Sequence, residues 1–150
     1  MNSGKTTSLL ATYLEMQRGE GFVSLKTMLD GKVHHFDLMD LSSGKERRLC
    51  LHRDVYQKEF KTPLVHGPYV FDQEVFDMVY QAFQNWISQG ETIFFLDEVG
   101  ILELFGRGFD STFKLLVSSP AELYVTIRED LWEEVVNKYQ MKQYSVKNID

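Results

Sequence analysis

The sequence predicts an α/β fold in three layers: a mostly parallel sheet between helices, with an added β-hairpin at about residues 22–39. Three observations lead there. Beyond residue 70 apolar strand-like runs alternate with helix-period segments, the pattern of a layered α/β domain. Thr92-Ile93-Phe94-Phe95-Leu96 is apolar without alternation, as in a strand covered on both faces. Asp30-Gly31 stands between two alternating runs, the strongest short signal for a type I′ hairpin.

The elements follow in order. Lys5 to Arg18 reads as a helix with Leu10, Tyr13, Leu14 and Gln17 along one face, ended by Gly19 and Gly21. Phe22–Leu29 and Lys32–Leu38 form the hairpin, Leu41-Ser42-Ser43-Gly44 turns the chain, and Glu46–His52 is a third strand. Asp54–Pro68, with Pro63, Gly67 and Pro68 and no period, is expected to be a loop. Phe71–Gln89 is a helix whose stripe is Val75, Phe76, Val79, Phe83, Trp86 and Ile87. Asp72 suits its N-cap, Phe71 and Phe76 a hydrophobic staple, and Gly90 the position just past its end. The apolar strand ends in Asp97-Glu98. A helix at about Phe109–Ser118 turns Phe109, Phe113, Leu116 and Val117 inward, and Ala121–Ile127 is a strand. Asp130 with Glu133 resembles a capping box for a helix to about Tyr139, and Tyr144-Ser145-Val146 reads as a last short strand.

Length and composition set the class. At 150 residues the chain is read as one domain, residues 1–150. A domain of that size buries about 68–70% of its unfolded surface. Sixteen basic against 22 acidic side chains, net −6, argue against a nucleic-acid-binding module, which needs a basic face. The same balance leaves room for a nucleotide, because one Lys, backbone amides and a metal handle a triphosphate locally. The single cysteine, Cys50, excludes an internal disulfide and fits a reducing compartment. No apolar run reaches the length of a membrane span, and Leu9-Leu10-Ala11 is too short for a signal-peptide core. The cytoplasm is the expected location, with no membrane association.

Two motifs carry chemistry. Asn2-Ser3-Gly4-Lys5-Thr6-Thr7 runs straight into the first helix and holds the closing positions of the phosphate-loop pattern G-x-x-x-x-G-K-[ST]. Gly lets backbone N–H groups approach an anion, and the helix dipole favours negative charge there. Lys5 is placed to reach the β/γ oxygens, and the Thr6 hydroxyl to meet Mg2+. The second motif, Asp97-Glu98, lies at the carboxyl end of the most apolar strand, where open α/β sheets bind ligands. Successive residues of a strand face opposite ways, so the two carboxylates can divide the work. Asp97 would hold Mg2+, directly or through water, and Glu98 would act as general base on the attacking water. An acidic turn after a strand is the plain alternative for this pair, as chance is for an isolated Gly-Lys-Thr.

Taken together, "NSGKTT", "FFLDEVGILELFGRGF" and "ELYVTIREDLWEEV" resemble the THEP-type nucleoside-triphosphatase family of small P-loop proteins. The stretch "FVSLKTMLDGKVHHFDLMDLSSGKERRL" is also similar to the family's region between loop and long helix. The family pattern places a Glu three residues past the Gly of its DE-[IV]-G motif, here Glu103. The resemblance covers nearly the whole chain. It implies a P-loop fold and Mg2+-dependent hydrolysis of several nucleoside triphosphates, ATP and GTP among them. Ile101 and Leu102 stand where many relatives carry Lys-Met. The chain also departs from the pattern at its front, since the loop's first Gly and the first strand would precede Met1. The expectation is an N-terminally truncated P-loop domain in which Met1 is an internal methionine of a longer reading frame.

Arg128 follows the Ala121–Ile127 strand and would stabilise charge on the γ-phosphate; its plain alternative is a surface arginine paired with Glu129. Arg107, between Gly106 and Gly108, lies on a loop able to close over phosphates, whereas Arg47 and Arg48 read as solvated. His34 and His35 alternate across a strand and are not expected to share a metal; with His52 and His66 they show no zinc spacing. Cys50 reads as a small buried hydrophobe. Two other functions use the same loop: a nucleoside or nucleotide kinase with Glu98 deprotonating a hydroxyl acceptor, and a non-catalytic nucleotide-binding domain. Base preference and oligomeric state are not encoded in any recognised motif.

Overall fold

The computed structural model describes residues 4–147, so Asn2 and Ser3 of the expected phosphate loop lie outside the described residues. Helix α1 spans Lys5–Met16. Strands β1 (Glu20–Leu29), β2 (Lys32–Asp40), β3 (Glu46–His52), β4 (Pro63–His66) and β5 (Tyr69–Asp72) follow. Then come α2 (Gln73–Ser88), β6 (Ile93–Val99), the short α3 (Ile101–Leu104), α4 (Asp110–Ser118) and β7 (Glu122–Ile127). A 3₁₀ turn at Glu129–Leu131 leads into α5 (Trp132–Tyr139).

All seven strands join one sheet in the order β4-β5-β3-β2-β1-β6-β7. The α/β class and the hairpin hold, but the expected mostly parallel sheet does not. Only β1–β6 and β6–β7 are parallel; β1–β2, β2–β3, β3–β5 and β4–β5 are antiparallel. The cause is connection length. A parallel pair needs a crossover of a dozen or more residues. The turns at Asp30-Gly31 and Leu41–Gly44 are far too short, so the middle of the chain forms an antiparallel meander.

The unbroken apolar run of β6 is explained by helices on both faces. Ile93 and Phe95 join Leu9, Val23 and Leu41 in a smaller core beneath α1. Phe94, Leu96 and Val99 join the larger core under α2, α4 and α5, with Phe22, Val75, Phe76, Val79, Phe83, Phe113, Leu116 and Val135. Phe83 is fully buried and meets Phe22, Trp86 and Phe94 at ring distances of 5.8, 5.2 and 5.4 Å. The α2 stripe is therefore the one its periodicity marked. Asp72 caps α2 by accepting the Glu74 N–H at 3.0 Å, and Phe71 packs against Phe76. Where β1 crosses β6, Gly21 lies so close that a Cβ would stand 2.0 Å from the Phe95 carbonyl oxygen; only glycine fits.

Several expectations fail for local reasons. On α1 the sheet-facing line is Leu9, Leu10, Tyr13 and Met16, while Leu14 is 61% exposed. Part of the expected loop Asp54–Pro68 is β4. Its Pro63 opens the strand that ends the sheet, a place where a missing N–H is tolerated. Asp130 does not cap α5: its carboxylate is taken by Arg128, and a 3₁₀ turn starts the helix instead. Tyr144–Val146 forms no strand; the Tyr144 ring packs edge-on against Trp132 at 5.1 Å. Among the described residues no helix is long and apolar enough to cross a membrane.

Candidate active site

The two sequence motifs meet at one hydrogen bond. Gly4 takes a left-handed conformation, φ 97°, and α1 begins directly at Lys5 with no side-chain cap on its first turn. The Thr6 hydroxyl donates to Asp97 Oδ2 at 2.7 Å across 91 positions of sequence. The backbone N–H of Ser24 in β1 donates to the same oxygen at 3.0 Å, and the Thr126 hydroxyl of β7 donates to Oδ1 at 2.5 Å. Asp97 is 1% exposed. One carboxylate thus ties α1, β1 and β7 to the end of β6.

Glu98 is set apart from its neighbour. In the β6–β7 register Asp97 pairs with Thr126 and Val99 with Ile127, so Glu98 is the extra residue of a bulge. It is half-buried beside the hub. Burial raises its carboxyl above the ordinary range, Asp97 raises it further, and the Lys5 and Arg128 charges pull it back. A carboxyl moved toward neutrality is better matched to general-base work near pH 7.

Arg128 follows β7 as expected, but its partner is Asp130 rather than Glu129. Nε and Nη2 engage the two Asp130 oxygens at 3.1 and 2.6 Å, a two-pronged pair at the edge of the site. Arg107 is exposed on the Gly106–Gly108 loop, and Thr7 is exposed on the first turn of α1. Arg47 and Arg48 are exposed, Arg48 holding Asp37 at 2.7 Å.

The alternation expected of His34 and His35 does not hold. A bulge in β2 leaves His34 between the paired residues Val33 and His35, so the two rings no longer alternate. Their Nδ1 atoms lie 2.8 Å apart, and His35 Nε2 contacts Asp37 at 3.2 Å. Among the described residues, still no group of three His, Cys, Asp or Glu side chains is placed to hold a metal. Cys50 is buried, as read from the sequence.

The sequence reading missed Ser24 and Thr126. Ser24 contributes only its backbone N–H, which leaves no trace in residue type. Thr126 was legible in principle, as the one threonine in the apolar run Leu123–Ile127.

A family model described as NTPase matches residues 1–150. Among curated proteins, none matches the chain by sequence. Two solved structures share the fold. THEP1 from the hyperthermophile Aquifex aeolicus is 17% identical, with a TM-score of 0.60 over 91% of this chain and 77% of that one. A human cancer-related nucleoside triphosphatase, solved in solution, is 23% identical, with a TM-score of 0.62 over 95% of this chain and 82% of that one.

Proposed function

The chain belongs to the THEP1-type NTPase family, and on that premise we propose that it is a Mg2+-dependent nucleoside-triphosphatase releasing NDP and phosphate from ATP and GTP. The observation that carries this reading is the Thr6–Asp97 hydrogen bond, which brings the end of the phosphate loop onto the carboxylate pair.

The donor set fits Mg2+. Thr6 donates its hydroxyl proton to Asp97, which leaves a lone pair on Oγ1 directed elsewhere. Both Asp97 oxygens already accept from protein donors, so Asp97 would act through Thr6 or water rather than as a bare ligand. When bound, Mg2+ supplies charge neutralisation at the β- and γ-oxygens.

The residues of the chain then divide the reaction. The uncapped first turn of α1 and the Gly4-Lys5-Thr6-Thr7 amides cradle the phosphates, continuous with Asn2 and Ser3 in sequence. Lys5 neutralises the β/γ oxygens. Glu98 takes a proton from the water that attacks the γ-phosphorus; the β–γ bridge oxygen leaves with NDP. Arg128 exchanges the Asp130 carboxylate for the developing charge on the γ-phosphate, one anion replacing another at the same guanidinium.

The test is Mg2+-dependent release of labelled γ-phosphate from ATP and GTP. Lys5→Ala and Glu98→Gln should each lower kcat by at least about 100-fold. Turnover that survives Glu98→Gln sinks the assignment of the base. Label that moves to an added nucleoside faster than to water makes the protein a kinase.

A further inference from the structure

Glu103 is a carboxylate only 3% exposed. Its Oε1 accepts the Gly100 N–H at 2.7 Å, and its Oε2 accepts the Phe109 N–H at 2.9 Å. Gly100 is the second residue beyond Glu98, and Phe109 opens α4. One side chain therefore closes the segment 100–109, which holds α3 and the Arg107 loop, into a ring. Gly108 seals it: a Cβ there would lie 2.4 Å from Glu103 Oε2, and its φ of +62° suits glycine. From α5, Lys138 and Tyr139 donate to the Glu103 carbonyl oxygen. Tyr139 also donates to Asp110 Oδ1 at 2.6 Å, and Lys138 reaches the same carboxylate at 2.9 Å.

Two N–H donors facing one side chain demand an acceptor at both ends. An ionised carboxylate satisfies both; a carboxamide turns its NH2 on one of them. Resting on the reading of Glu98 as the base, we propose that Glu103 is its positioning residue: the ionised carboxylate fixes the turn that leaves Glu98 and so sets where the Glu98 carboxylate stands.

The clamp is sensitive to pH. Burial pushes the Glu103 carboxyl up to about 7, against the pull of its two backbone donors, and the charge of Glu98 adds to the rise. The charged group that acts on it is Glu98 from β6; Lys138 and Tyr139 from α5 reach the Glu103 backbone carbonyl instead, and Asp110 from α4 pairs with them. Protonation turns one oxygen from acceptor to donor, so one of the two N–H groups loses its partner as pH falls.

Three proteins test this: the parent, Glu103→Gln and Glu103→Asp, followed between about pH 5.5 and 8.5. In the parent, hydrogen-exchange protection of the Gly100 and Phe109 amides should rise through neutrality. In Glu103→Gln the protection of one of these two amides should be low and flat, while the Phe113 amide stays protected and reports an intact core. kcat for phosphate release should fall about 100-fold with KM held within about twofold. Glu103→Asp keeps the charge and should restore part of the pH dependence. Unchanged protection at Gly100 and Phe109 in Glu103→Gln overturns the clamp. Lost protection with an unchanged kcat overturns the positioning role. If the parent releases no phosphate, the hydrolase reading fails by itself, and the amide readout still decides the clamp.

Discussion

Replacing Asp97 by Ala removes one acceptor and strands three donors. Thr6 is half-exposed and turns to water. The Ser24 N–H and the Thr126 hydroxyl are buried and have no such recourse. A buried polar group left without a partner costs about 1–3 kcal/mol, so the two together cost about 2–6 kcal/mol. Loss of the charge also removes its desolvation penalty, which keeps the net toward the lower end. Against a typical total of about 5–15 kcal/mol, the variant is a large fraction less stable. Urea unfolding with an unchanged m-value reads this directly. The decisive variant is the double one. Thr126→Val removes a donor of nearly the same shape, so in the Asp97→Ala background it should give back about 1–3 kcal/mol instead of costing anything. Strict additivity within about 0.5 kcal/mol refutes the picture of a shared hub.

Other outcomes follow from burial and charge. Phe83→Ala empties a fully buried ring site and should cost about 3–5 kcal/mol, whereas Leu14→Ala, at 61% exposure, should change stability by under about 0.5 kcal/mol. Burial pushes the Cys50 thiol up to about 12, so a thiol reagent at neutral pH should react only as fast as the protein opens. Glu103 has a folded-state pKa raised to about 7, so its contribution to stability is full below the unfolded value and is lost as pH rises toward and through 7. Glu103→Gln should flatten that part of the stability profile, by up to about 3 kcal/mol across the window.

The sequence was most legible where one physical signal dominated. The α2 stripe, the Asp72 cap, the Asp30-Gly31 turn and the apolar run of β6 each rest on local periodicity or turn chemistry, and each stands in the structure. It misled where pairing is decided elsewhere. Direction of the sheet depends on connection lengths summed over five strands, and β4 is too short and too Pro-bound to show a period. The His34 bulge inverts an alternation argument by one residue. At the candidate site, Lys5, Thr6, Asp97 and Glu98 were legible as motif positions, and Asp97 meets Thr6 as their order implies. Arg128 was placed at the right strand end, but its choice between Glu129 and Asp130 follows the 3₁₀ turn, which no propensity announces. The Ser24 donor was out of reach because every residue type carries the same N–H.

The two faces of the sheet are unequal, and the inequality has a consequence for proteolysis and cellular abundance. Among the described residues the α1 side holds five buried hydrophobics, of which Leu9 alone comes from the helix; the other side holds the main core. Local opening begins where few apolar contacts must be broken. α1 is such a place, and it begins at the proposed phosphate-binding residues. A ligand seated there would lend the helix its binding energy, about 2.7 kcal/mol when present at 100 times its dissociation constant. The weak layer would then act as a gauge: with little nucleotide α1 opens first and offers proteases an unfolded segment, and with abundant nucleotide the chain persists.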